Sequence, residues 1–160
     1  MPLSESILAR LQYQYKTIDE LISGLTEEQL KHRINPDKWS AFENIVHLAA
    51  YQPTFIKRLN LMLNENEPLF ERYVAENDPV FYEYLKKSLS ELLSDISTKR
   101  FAIIDLLKNL DEQQLNRNGQ HPVYGLITVA RWADFFLLHE AHHLWTIFQL
   151  TSMLRVKAQK

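Results

Sequence analysis

The chain has 160 residues, 46% of them hydrophobic and 24% charged, with a net charge of −2; that balance suits a globular protein with its own core and offers no basic face for nucleic acid. It contains no cysteine, which excludes structural disulfides and thiolate ligands, so any metal has to be held by imidazole and oxygen. Only three glycines occur, which points to long helices and few tight turns.

Ile7, Leu8, Leu11, Tyr15, Ile18, Leu21, Ile22 and Leu25 recur at steps of three and four and predict a first helix from about Ser4 to Gly24. Ser4 suits its start and Gly24 its C-terminal cap. Thr26-Glu27-Glu28-Gln29 has the form of a capping box and predicts one short helical turn. After a break at Asn35-Pro36-Asp37-Lys38, Ser40 and Glu43 form a second capping box. It opens a helix from Ala41 to about Leu63, with Ile45, Leu48, Phe55, Leu59 and Met62 on its inward stripe. Pro53 lies inside and is expected to kink it just beyond His47. The polar segment Asn64 to Asn77 reads as a loop with one helical turn around Phe70 to Val74. Asp78-Pro79 is a cap followed by a first-position proline. Phe81, Leu85, Leu89, Leu92, Ile96, Ile103 and Leu107 then predict a third long helix. Asn118 to Pro122 reads as a loop, and the last helix is expected from near Thr128 to about Leu154.

Leu25 to Leu30 echoes Leu110 to Leu115, and each follows a long helix and precedes a histidine-bearing one. Two helix–turn–helix halves predict an all-α fold: a four-helix bundle with short extra helical turns, as one domain over residues 1–160. No stretch reaches the roughly 18 apolar residues of a membrane span. The N-terminus lacks the basic start and apolar core of a signal peptide. A cytoplasmic location without membrane or nucleic-acid partners is therefore expected.

Three of the six histidines lie in the run His139-Glu140-Ala141-His142-His143. Positions 139 and 143 are one turn apart and stack on one face, while His142 points about 100° away. Trp132, Phe135, Phe136, Ile147 and Leu150 share the inward stripe. A buried histidine pair needs partners, either Tyr and Asp side chains or a metal ion. His47, between Val46 and Leu48 in the matching helix of the other half, supplies a third imidazole if helices two and four are neighbours. Three neutral imidazoles and a water make a site for zinc or another late first-row divalent metal. The run matches His-Glu-x-x-His formally, but no third ligand follows it, which argues against a metalloprotease. Glu140 projects off the metal face and reads as solvated or salt-bridged. Tyr51 and Asp134 are candidate partners that would orient the ligand imidazoles. His32 and His121 read as connector and loop residues rather than ligands, with His121 able to approach the mouth of the site.

Lys38-Trp39-Ser40 with His47-Leu48-Ala49 resembles the first signature of the DinB/YfiT-like superfamily. The run from His121-Pro122 through Gly125, Thr128 and Trp132 to His139-Glu140-Ala141-His142-His143 resembles its second. The resemblance covers nearly the whole chain. It implies an up-up-down-down four-helix bundle, often a homodimer, with a divalent metal, commonly zinc or nickel, on His47, His139 and His143. Relatives of this kind include thiol-dependent transferases and isomerases, and proteins described only as metal-dependent hydrolases. The chain departs from the pattern after His47, where Leu48-Ala49-Ala50-Tyr51-Gln52 lacks the usual early acidic or amide residue. It departs again at Thr146, where many relatives carry Gln. The expected function is that of a metal-dependent hydrolase or thiol S-transferase acting on a small molecule such as a low-molecular-weight thiol. No catalytic residue besides the ligands is assigned. The alternative is a non-enzymatic helical binding or stress-associated dimer module.

Overall fold

Helix caps set the architecture of residues 3–158, the part that the computed structural model describes. Helix α1 (Glu5–Tyr13) starts where the Ser4 hydroxyl accepts from the Ile7 amide at 3.2 Å. A 3-10 turn at Gln14–Lys16 joins it to α2 (Thr17–Ile22), so the expected first helix is wound tighter at its middle. Gly24 ends it at φ +77°, a left-handed conformation that a side chain would strain. Thr26 caps α3 (Glu27–Lys31), and Ser40 caps α4 (Ala41–Asn64), both through full capping boxes. In the second, the Glu43 amide donates to the Ser40 hydroxyl at 3.1 Å and the Ser40 amide to the Glu43 carboxylate at 2.8 Å. Helix α4 runs unbroken through Pro53.

Three expectations need correction. The turn in the long connection lies at Ala75–Asn77, not at Phe70 to Val74. The third helix is two: α5 (Pro79–Tyr84), capped by Asp78, and α6 (Leu89–Lys108), which starts at its own capping box of Ser88 and Glu91. Leu85 and Leu89 keep helical step across this break, so periodicity alone reads through it. After α7 (Glu112–Leu115), capped by Asp111, the expected loop is an antiparallel hairpin. Its strands are β1 (Asn118–His121) and β2 (Gly125–Thr128), paired from Asn118↔Thr128 to His121↔Gly125. The Phe70 amide donates to the Gln120 carbonyl at 3.1 Å, and the Gln120 amide to the Pro68 carbonyl at 2.9 Å. The long connection is thereby fastened to the hairpin. A β-carbon at Gly119 would lie 2.7 Å from Phe70 and 2.8 Å from Met62, so only glycine lets the strand come this close. The last helix, α8, covers Val129–Ala158.

The long helices form a four-helix bundle in which α4 packs between α6 and α8, and α1 closes the ring against the same two. Helices α4 and α8 are thus neighbours, as a shared histidine site requires. The core is two apolar clusters. One holds Leu11, Phe55, Leu59, Ile103, Trp132 and Phe136; the other holds Ile18, Phe42, Ile45, Leu92, Ile96 and Ile147. Each fully buried side chain of this size contributes about 1.5–3 kcal/mol. Along the chain the clusters meet at polar positions: Gln14 just past the end of α1, Gln52 on α4, Arg100 on α6, and His139 to His143 on α8. Among the described residues no helix is long and apolar enough to cross a membrane.

Candidate metal centre

The capping box of α4 fixes its first turns, and His47 follows on the second, facing α8. The one-turn spacing of His139 and His143 lays both rings against it. The ring centroids are 4.9 Å apart for His47 and His139, 4.4 Å for His47 and His143, and 4.7 Å for His139 and His143. One ligand-capable atom from each residue lies within 4.8 Å of the others. His47 Nε2 faces His139 Nε2 at 2.9 Å. Tetrahedral zinc with bonds of about 2.0–2.1 Å holds its nitrogens roughly 3.3 Å apart, so a slight opening of that pair would admit an ion.

Among the described residues no hydrogen bond from outside the group reaches Nε2 of any of the three rings, which leaves these atoms for a metal. Nδ1 of His143 pairs with Asn44 Oδ1 at 2.8 Å, which fixes the ring and leaves Nε2 free. Nδ1 of His47 and Nδ1 of His139 are buried without a partner, and neither ring bonds to a Tyr or Asp among the described residues. Burial holds all three imidazoles neutral, with smaller contributions from neighbouring histidines. His47 is lowered to about 3, His139 to about 4 and His143 to about 2. Neutral imidazoles are the state that binds a divalent cation. Trp39 packs beside this group, 5.1 Å from His47 and 6.2 Å from His143 between ring centroids.

The remaining candidates are placed differently. Tyr51 meets the site through its ring, 4.8 Å from that of His139, while its hydroxyl accepts from Arg58 at 3.4 Å. The Asp134 carboxylate pairs with Arg10 at 2.7 Å and Arg131 at 3.6 Å and does not orient an imidazole. Five residues before His139, it sits about 140° around the helix from that ring. The amide that does orient one of the three imidazoles, Asn44, is legible as the residue one turn before His47 on the same face. Glu140 is buried, and its carboxylate pairs with Arg100 across the bundle and accepts from Gln14 at 2.9 Å. It faces away from the histidines and is no base for chemistry there. His142 and His32 are exposed. His121 ends β1, where its Nδ1 accepts from the Val123 and Tyr124 amides at 3.1 and 3.2 Å, and it lines a cavity together with His139.

A helical bundle with three histidines converging from its second and fourth long helices defines a class, and the chain belongs to it: residues 10–147 match the model of the DinB superfamily. The chain is 26% identical over 136 residues to the "Putative metal-dependent hydrolase OB0782" of Oceanobacillus iheyensis, spanning 84% of this chain and 78% of that one. It is also 26% identical over 135 residues to the uncharacterized protein YuaE of Bacillus subtilis, spanning 77% and 83%. Among solved structures, YfiT from Bacillus subtilis, described as a probable metal-dependent hydrolase with an unusual four-helix bundle topology, superposes with a TM-score of 0.79. That match has 21% identity and covers 94% of this chain and 86% of YfiT. The four-helix bundle protein TT2238 superposes with a TM-score of 0.65 at 20% identity, over 89% and 96%. These two likenesses establish the fold.

Proposed function

We propose that the protein is a metal-dependent hydrolase of small molecules, with His47, His139 and His143 as ligands of zinc or nickel. The observation that carries this is the convergence of three neutral imidazoles whose Nε2 atoms have no hydrogen-bond partner outside the group among the described residues. The names of curated relatives as metal-dependent hydrolases support it. A divalent ion with three protein ligands has a fourth position open, polarises a substrate oxygen and brings the pKa of a water to about 7. The protein's own share is to keep the imidazoles unprotonated, to hold His143 through Asn44, and to shield one side of the group with Trp39. The same open position suits a substrate thiolate, and a chain without cysteine would take that thiol from its substrate. Exposed Leu138, Trp145, Phe148 and Met153 on the outer side of α8 support a homodimer.

Elemental analysis of protein purified without a histidine tag tests the centre. About one zinc or nickel per chain is expected. His47→Ala, His139→Ala and His143→Ala should each lose it, and His142→Ala should retain it. Unchanged metal in His47→Ala would sink the three-ligand assignment. A panel of esters and amides, beside an electrophile with added thiols, separates hydrolysis from S-transfer.

A further inference from the structure

The two buried arginines of the bundle are treated in opposite ways. Arg100 is fully buried and paired with Glu140. Arg58, on α4, is 9% exposed, and among the described residues no carboxylate pairs with it. Its two acceptors among the described residues are neutral: the Tyr51 hydroxyl at 3.4 Å and the Glu71 carbonyl at 2.8 Å. The faces of Phe70 and Trp132, 5.4 and 5.9 Å from the guanidinium carbon, offset only part of the cost of removing the charge from water. Five N–H groups against two acceptors leave the guanidinium with donors to spare.

Arg58 opens onto a cavity of about 560 Å³ that it lines together with Tyr51, Arg72, Tyr73, His121 and His139. No aspartate or glutamate lines it. Asp78, the acid joined to Tyr73, is taken up by the Tyr73 hydroxyl and the Val80 amide, both at 2.9 Å. Arg72 is exposed and pairs with no acid among the described residues. The cavity therefore carries two cations that no carboxylate pairs with directly among the described residues, with one of the three histidines in its wall. The geometry of α4 explains the arrangement. His47, Tyr51 and Arg58 follow one another at steps of four and seven and lie on one face. Helical side chains lean toward the N-terminus, so Arg58 reaches back to Tyr51, and Tyr51 to the imidazoles.

We propose that this cavity seats the substrate and that Arg58 binds an anionic group on it, a carboxylate or a phosphate, about one tyrosine's length from the group that reaches the histidines. Arg72 adds to this at the rim. The proposal rests on the reading of the three histidines as metal ligands, and it adds the substrate's charge to that reading.

The test uses the full chain loaded with zinc and three hydroxamates as probes: neutral acetohydroxamate, and hydroxamates of matched length ending in a carboxylate or a phosphonate. Calorimetry should show at least one of the anionic probes binding about tenfold to hundredfold tighter than the neutral one. The tighter of the two identifies the anion. Arg58→Gln should abolish that preference while zinc content and acetohydroxamate affinity stay the same; a structural clamp on Glu71 would not change the ratio. Arg72→Gln, at an exposed site, should reduce the preference about threefold and keeps the test decisive if Arg58→Gln does not fold. Equal affinity of the wild type for all three probes, or a preference that survives Arg58→Gln, would overturn the proposal with the metal reading intact. A chain that takes up no zinc and binds no hydroxamate would overturn both.

Discussion

Glu140→Gln keeps the shape of a side chain and removes one charge from a pair sealed inside the bundle. Arg100 is 0% exposed and Glu140 2%. Arg100 meets both carboxylate oxygens, donates to the Leu11 carbonyl at 3.2 Å and lies over the rings of Tyr15 and Phe136, each 4.9 Å away. Gln14 donates to the same carboxylate at 2.9 Å. Breaking a buried pair on one side strands the other charge, at a cost of about 3–5 kcal/mol. Glutamine retains one acceptor, so the lower end, about 3 kcal/mol, is expected. For a chain of this length that is a drop of roughly 10 °C in Tm, read by circular dichroism and checked by urea unfolding. Arg100→Met with Glu140→Leu removes both charges and should come back to within about 1 kcal/mol of the wild type. A Glu140→Gln protein within 1 kcal/mol of wild type, or a double variant no better than the single, would refute the pairing argument. Because the carboxylate faces Arg100, folded Glu140→Gln should also keep its metal. Lost chemistry at full stability would instead make Glu140 a base.

Asn44→Ala frees the His143 ring and should weaken metal affinity about tenfold to hundredfold in a competition with a chelator; unchanged affinity would show that the Asn44 contact positions nothing. The metal-free protein should lose stability as pH falls below about 6.5. There the unfolded histidines take up protons that the folded ones, lowered to about 3, 4 and 2, do not. Between pH 7 and 5.5 the loss is about 1 kcal/mol per histidine, measured as the urea midpoint against pH. A variant with His47→Gln should show a smaller slope, and an equal slope would place the titration elsewhere.

Local chemistry made much of this readable, and tertiary contacts hid the rest. The capping boxes at Thr26 and Ser40 fixed helix starts that the structure repeats. An equally plain box at Ser88 and Glu91 is masked by the Leu85 to Leu89 step, which keeps the helical period across the break. The hairpin was not legible: Asn118–His121 and Gly125–Thr128 are four residues each and lack a clear polar–apolar alternation. They hold because the chain at Pro68 and Phe70 bonds to Gln120. The three histidines stood out through one-turn spacing and the short supply of other ligands. The pairing of Glu140 was out of reach, since Arg100 lies 40 residues away and meets it only through the order of helices around the bundle. Arg58 is legible as a charge on the helical face of His47 and Tyr51.

The polar positions where the two apolar clusters meet also constrain how the helices slide. Leucine and isoleucine stripes repeat at every turn, so a bundle held by them alone tolerates a slip of about 5.4 Å along one axis with little change in burial. At the meeting layer such a slip is forbidden. Moving α8 one turn would part Glu140 from Arg100 and Gln14, and His143 from Asn44, while carrying His139 past His47. The ionic pair acts as a key cut for a single axial offset, and the imidazoles meet only when the key is home. A variant stripped of both charges could regain its stability and still sample more than one offset, with the histidines out of line in all but one of them.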